Sequence, residues 1–75
     1  MKPPKFKIHN HIKTLRFLCG EMTQQALAER IGVTRQTVNA IEGGKYSPSL
    51  EVAFRIAQVF DKPLEAVFQY VPEAD

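Results

Sequence analysis

A single cysteine, Cys19, leaves this chain without any intrachain disulfide, which fits a reducing compartment. No apolar run comes near the roughly 20 residues that span a bilayer. Met1 to His9 is basic but lacks the apolar stretch of a signal peptide. The expectation is a soluble cytoplasmic protein with no membrane partner. Catalytic signatures are missing too. No serine, histidine and carboxylate stand in a nucleophile–base pattern, and no glycine-rich loop follows a strand, so the chain is not expected to be an enzyme. His9 and His11 are two apart, and with Cys19 they do not supply the closed tetrahedral set of a structural zinc. Solvated histidines and a packed thiol are expected, with no metal and no cofactor.

What is present makes one small domain: 75 residues, 44% of them hydrophobic. A core of that size needs tight helix packing or a second copy of the chain. The net charge is only +2, but it is unevenly spread. Residues 1–45 carry Lys2, Lys5, Lys7, Lys13, Arg16, Arg30, Arg35 and Lys45 against Glu21, Glu29 and Glu42, a net +5. Residues 46–75 carry Arg55 and Lys62 against Glu51, Asp61, Glu65, Glu73 and Asp75, a net −3. That asymmetry suits a molecule with one face on a polyanion.

Helical spacing dominates after Asn10. Ile12, Leu15 and Leu18 form an apolar stripe, with Asn10 as N-cap and Gly20 as stop. Thr23 caps a second helix from Gln24 to Ile31, which buries Leu27, Ala28 and Ile31 and ends at Gly32. Thr34 caps a third, running to Glu42 and stopping at Gly43-Gly44. Ser49 caps a fourth that ends near Phe60, with Ala53, Ile56, Ala57 and Phe60 on its buried face. Pro63 opens a fifth carrying Leu64, Val67 and Phe68 inward, ended by Val71-Pro72. The predicted fold is all-α, a compact five-helix bundle over residues 10–70. A basic extension, 1–9, precedes it and a short tail, 71–75, follows. Lys5-Phe6-Lys7-Ile8 alternates charged and apolar residues. It reads either as a disordered tail or as a short strand that pairs, for instance, with the same segment of a second subunit.

Two helices joined by a three-residue turn with glycine make a helix-turn-helix, here over residues 24–43. Ala28 stands where the two helices should approach most closely, and Gly32 supplies the backbone shape of a tight reversal. At about 100° per residue, Thr34, Val38 and Ile41 share one side of the third helix and are expected to face the core. Gln36, Asn39, Ala40 and Gly43 fall opposite, with Arg35 on the flank. That outward face has no acid, whereas a merely solvated face usually mixes glutamate with lysine. Carboxamides reach adenine, arginine reaches guanine, and small residues let a helix sit deep in a groove. Phe17 lies off the apolar stripe and is free for a partner. Tyr70 and Val71, beside Phe68, extend an apolar patch at the C-terminal end.

Met22-Thr23-Gln24-Gln25-Ala26-Leu27-Ala28, then Ile31-Gly32-Val33-Thr34-Arg35-Gln36-Thr37-Val38, then Ile41-Glu42-Gly43-Gly44-Lys45-Tyr46-Ser47-Pro48-Ser49-Leu50 resembles the Xre family of Cro/CI-like regulators. The resemblance covers about Ile12 to Phe68. It implies that Arg35, Gln36 and Asn39 meet base edges in the major groove, and that Gln24, Thr34 and Lys45 contact phosphates. It also implies a structural salt bridge between Arg16 and Glu42. Ala40 and Gly43 stand where relatives carry longer or polar side chains, and the extension 1–9 is not part of the common pattern.

The expected function is sequence-specific binding of double-stranded DNA by a transcriptional regulator, a repressor acting as a homodimer on a palindromic operator. Two alternatives keep the fold. One is an antitoxin that also binds a toxin partner, and the other is a protein-interaction module without DNA binding.

Overall fold

A computed structural model of the chain describes residues 5–73. Five helices are present: α1 (Ile12–Leu18), α2 (Gln24–Ile31), α3 (Arg35–Glu42), α4 (Leu50–Val59) and α5 (Leu64–Val67). They are flanked by two strands, β1 (Phe6–Asn10) and β2 (Phe68–Pro72), so the fold is not purely α-helical. Among the described residues, no helix is long and apolar enough to cross a membrane.

Three helix starts follow from hydroxyl caps. Thr23 accepts from the Ala26 amide at 3.0 Å, Thr34 from Thr37 at 3.1 Å, and Ser49 from Val52 at 3.2 Å. Each satisfies one of the four amides that a helix start leaves unpaired. α1 begins differently. Its N-cap is His11, with no side-chain cap bond, while Asn10 Oδ1 accepts from the Ile12 amide at 3.2 Å. The Asn10 amide nitrogen donates instead to the Ile41 and Glu42 carbonyls, at 3.1 and 3.4 Å. Asn10 therefore closes the C-terminal end of α3 as well as the start of α1.

The core joins all five helices. Ile12, Leu27, Ile31, Val38, Ile56 and Val67 are its largest fully buried side chains, each contributing about 1.5–3 kcal/mol through burial. Ala28 is fully buried between α2 and α3. Ala53, Ile56, Ala57 and Phe60 are all buried on α4 and its C-cap, as their spacing predicts. Two expectations for α1 and α3 fail. Leu18 is 72% exposed, because the seven-residue α1 turns only Ile12 and Leu15 inward before the chain reverses at Gly20 and Glu21. Thr34 is exposed, because a capping residue lies outside the helical turn that its side chain closes.

The C-terminal segment departs further from expectation. α5 has four residues, and Phe68–Pro72, read as helix and tail, is a strand. β2 pairs antiparallel with β1 of the same chain, from Phe6 opposite Pro72 to Asn10 opposite Phe68. The alternating segment Lys5–Ile8 thus finds its partner within the chain. In this register Phe6, Ile8, Phe68 and Tyr70 share one face of the ribbon, and Lys7, His9, Gln69 and Val71 share the other. Phe6 and Tyr70 stack with ring centroids 4.8 Å apart. His11 is half-buried and bonded to the Gln69 side chain at 2.8 Å rather than solvated. Cys19 is exposed rather than packed.

Candidate nucleic-acid interface

The turn between α2 and α3 is short because one glycine bends it. Gly32 takes φ 76°, ψ 33°, and its amide and that of Val33 both return to the Ala28 carbonyl, at 2.9 and 3.0 Å. Arg55 of α4 adds a bond to the last carbonyl of α2, Ile31, at 3.2 Å, and pairs with Glu51 one turn earlier. Nothing in the spacing of the sequence marks Arg55 for this role. Leu27, Ala28 and Ile31 then pack on Val38 and Ile41, which holds the two helices at one angle.

With Val38 and Ile41 buried, the opposite side of α3 is open. Arg35, Gln36 and Asn39 are exposed, and Ala40 is half-buried beside them. Gly43 is exposed at the C-cap, and the chain leaves α3 through Gly44 at φ +74°, with the exposed Lys45 following. The side presents a guanidinium, two carboxamides and little bulk, with no carboxylate among its exposed residues.

Behind this face lies a chain of polar contacts. Arg16 Nε and Nη2 bond Glu42 Oε2 and Oε1 at 2.6 and 2.9 Å, with both side chains nearly buried. Arg16 Nη1 also reaches the Met22 carbonyl at 2.8 Å, which fastens the loop between α1 and α2. Gln24, at the first position of α2, donates to Glu42 Oε1 and to Asn39 Oδ1, both at 3.2 Å. Gln24 is half-buried, so only part of it faces outward. Thr34 is committed through its hydroxyl to the α3 cap and to Thr37 Oγ1 at 2.9 Å. The structure thus brings Gln24, Asn39, Glu42 and Arg16 together. Arg35, Gln36 and Lys45 are exposed, and among the described residues none of the three makes a side-chain hydrogen bond of this kind. Among the described residues no three His, Cys, Asp or Glu side chains converge on a metal position.

Comparison with known proteins agrees with this geometry. The helix-turn-helix family model matches residues 20–67. An HTH-type transcriptional regulator of Methanocaldococcus jannaschii is 49% identical over 61 residues, covering 81% of this chain and 91% of that protein. The HTH-type transcriptional regulator YgzD of Bacillus subtilis is 49% identical over 59 residues, covering 79% and 88%. The solved structure of the transcriptional regulator VanUg shares the fold with a TM-score of 0.73 at 19% identity, over 97% of this chain and 96% of that one. The chain belongs to the Cro/CI-like (Xre) helix-turn-helix family of transcriptional regulators.

Proposed function

We propose that this protein is a cytoplasmic, sequence-specific repressor that binds a palindromic operator as a homodimer. The observation that carries the reading is the outer side of α3, where Arg35, Gln36 and Asn39 are exposed with no acid among them. Guanidinium and carboxamide groups match the donor and acceptor edges of guanine and adenine in the major groove. Gln24, Thr34 and Lys45 contact phosphates on either side and set the register of the helix. Gln24 does so with whichever hydrogen-bonding capacity its internal contacts leave, and Thr34 through the backbone amide or hydroxyl at its cap.

The dimer follows from arithmetic and from an apolar surface. One well-made base contact discriminates by about 1–3 kcal/mol, too little to select one site in a genome. Two copies on half-sites one helical turn apart double the number of contacts. A groove beside β2 is lined by Ile8, Pro48, Leu50, Ala53, Leu64 and Phe68, among others. Leu50 and Tyr70 at its rim are 67% and 70% exposed. An isolated two-stranded ribbon is marginal in water and leaves both edges open, so a second copy of the ribbon is the occupant that would both cover the groove and pair an edge. Apart from Ile8 of β1, the surface is carried largely by α4, α5 and β2, which belong to the acidic part of the chain.

Selection of binding sites from a randomised duplex library at two salt concentrations tests the reading. A palindrome with half-sites about 34–36 Å apart is the expected result. Binding without a motif, lost at physiological salt, would leave only non-specific attraction to phosphate and refute it.

A further inference from the structure

Gln24 is tied to two partners, and one of them settles which way its amide faces. Glu42 is paired with Arg16 through both carboxylate oxygens, so it acts as acceptor only. The Gln24 atom 3.2 Å from Glu42 Oε1 is therefore the amino nitrogen, not the oxygen. That same nitrogen lies 3.2 Å from the Asn39 amide. A donor meets an acceptor, so the Asn39 atom must be Oδ1. The direction of every group in the chain Arg16–Glu42–Gln24–Asn39 then follows from the one group that cannot reverse, the guanidinium. An untethered asparagine offers either end of its amide to a base. Asn39 has its oxygen engaged on the protein side, which leaves Nδ2, with two hydrogens, for the groove.

We infer that Gln24 is a positioning residue for base reading: it holds Asn39 so that α3 presents a donor and selects a base with a major-groove acceptor. The acceptors that qualify are purine N7, guanine O6 and thymine O4, and the base rejected is cytosine, whose edge there is the N4 amino donor. This rests on the DNA-binding function proposed above and sharpens it. The two-way adenine contact of a free carboxamide gives way to a contact led by Nδ2. The nearly buried ion pair thereby serves specificity as well as stability, since it orients a side chain that touches no base itself.

The test is base preference, position by position, for the parent protein and for Asn39→Ala, Gln24→Ala and Asn39→Asp, with the melting temperature of each. Asn39→Ala is expected to erase preference at one base pair per half-site. A single good contact is worth on the order of 5- to 150-fold there. Gln24→Ala is expected to relax that same pair to about twofold while the other pairs keep their preference. It lowers overall affinity as well if a phosphate contact is lost. Asn39→Asp still accepts from Gln24 but offers the groove only acceptors, so preference at that pair should move to a base with an amino donor there, cytosine through N4 or adenine through N6. Even weakening at all pairs in Gln24→Ala, with the Asn39-dependent pair intact, would reduce Gln24 to a phosphate contact and overturn the inference. So would a guanine or thymine preference retained by Asn39→Asp, since neither offers a donor in the major groove. If Asn39→Ala alters no pair while the parent selects a clear motif, the protein reads DNA without Asn39, and the inference fails by itself. If the parent selects no motif, the proposed function fails and takes the inference with it.

Discussion

Arg16 and Glu42 meet through two parallel hydrogen bonds, so that α1 and the C-terminal end of α3 are joined by a fork rather than a single contact. Their side chains are 13% and 9% exposed, which makes removal of one partner more costly than removal of both. Glu42→Leu leaves a nearly buried guanidinium without its counter-charge and is expected to cost about 3 kcal/mol. The double replacement Arg16→Met with Glu42→Leu should cost at least about 1 kcal/mol less than the sum of the singles. Urea unfolding of the four proteins measures the difference. Strict additivity would mean that the pair is not coupled.

Gly32 separates backbone conformation from space. A Cβ there would lie 3.9 Å from the Arg55 guanidinium, an ordinary contact, yet φ is +76°. Gly32→Ala should therefore destabilise by about 1–2 kcal/mol through the backbone alone. Gly32→Asn, which tolerates this region better, should cost visibly less. Equal losses for the two variants in thermal unfolding would point to crowding at the turn instead.

Gln36 and Lys45 are both exposed, but they predict different defects. Gln36→Ala should relax preference at its own base pair, by about 1–3 kcal/mol, and leave the fold unchanged. Lys45→Ala should weaken binding to all sequences alike and lower the slope of log affinity against log salt by about one unit. Fluorescence anisotropy on matched duplexes over a salt series distinguishes them. The same signature from both variants would undo the division into base and phosphate contacts.

Tyr70 is 70% exposed on the ribbon and stacks on Phe6. Tyr70→Lys places a charge on the apolar face and is expected to weaken self-association at least tenfold, about 1.4 kcal/mol. The helical signal in circular dichroism should change little. Analytical ultracentrifugation reads the shift. A parent protein that is monomeric at micromolar concentration, both free and on DNA, would refute the dimer.

Sequence was most informative where one side chain and one backbone shape decide the outcome. The hydroxyl caps at Thr23, Thr34 and Ser49, the reversal at Gly32 and the buried face of α4 all act within a turn of helix, and each is visible in local spacing. Failures arose where the deciding partner is distant. Phe68-Gln69-Tyr70-Val71 carries aromatic and β-branched residues suited to a strand, yet the preceding Leu64 and Val67 continue a helical rhythm, and only pairing with β1 resolves the conflict. Asn10 was expected as the N-cap of α1, a place that His11 takes, and nothing local marked it as a donor to the end of α3, 31 residues on. In the candidate site, exposure of Arg35, Gln36 and Asn39 followed from helical period. The bonds from Gln24 to Asn39 and Glu42 required the angle between α2 and α3.

The ribbon places the earliest and latest described segments side by side, as in the pairing of Phe6 with Pro72. Closing that span costs more chain entropy than closing the local turn between α2 and α3. Amides of β1 and β2 should therefore exchange with solvent long before those of α2 and α3 as the protein opens in steps. Where a second copy covers the ribbon, the same amides gain protection in proportion to protein concentration. Low concentration would then leave α3 folded but the two copies apart, so that occupancy of a palindrome rises more steeply than in direct proportion to the amount of protein.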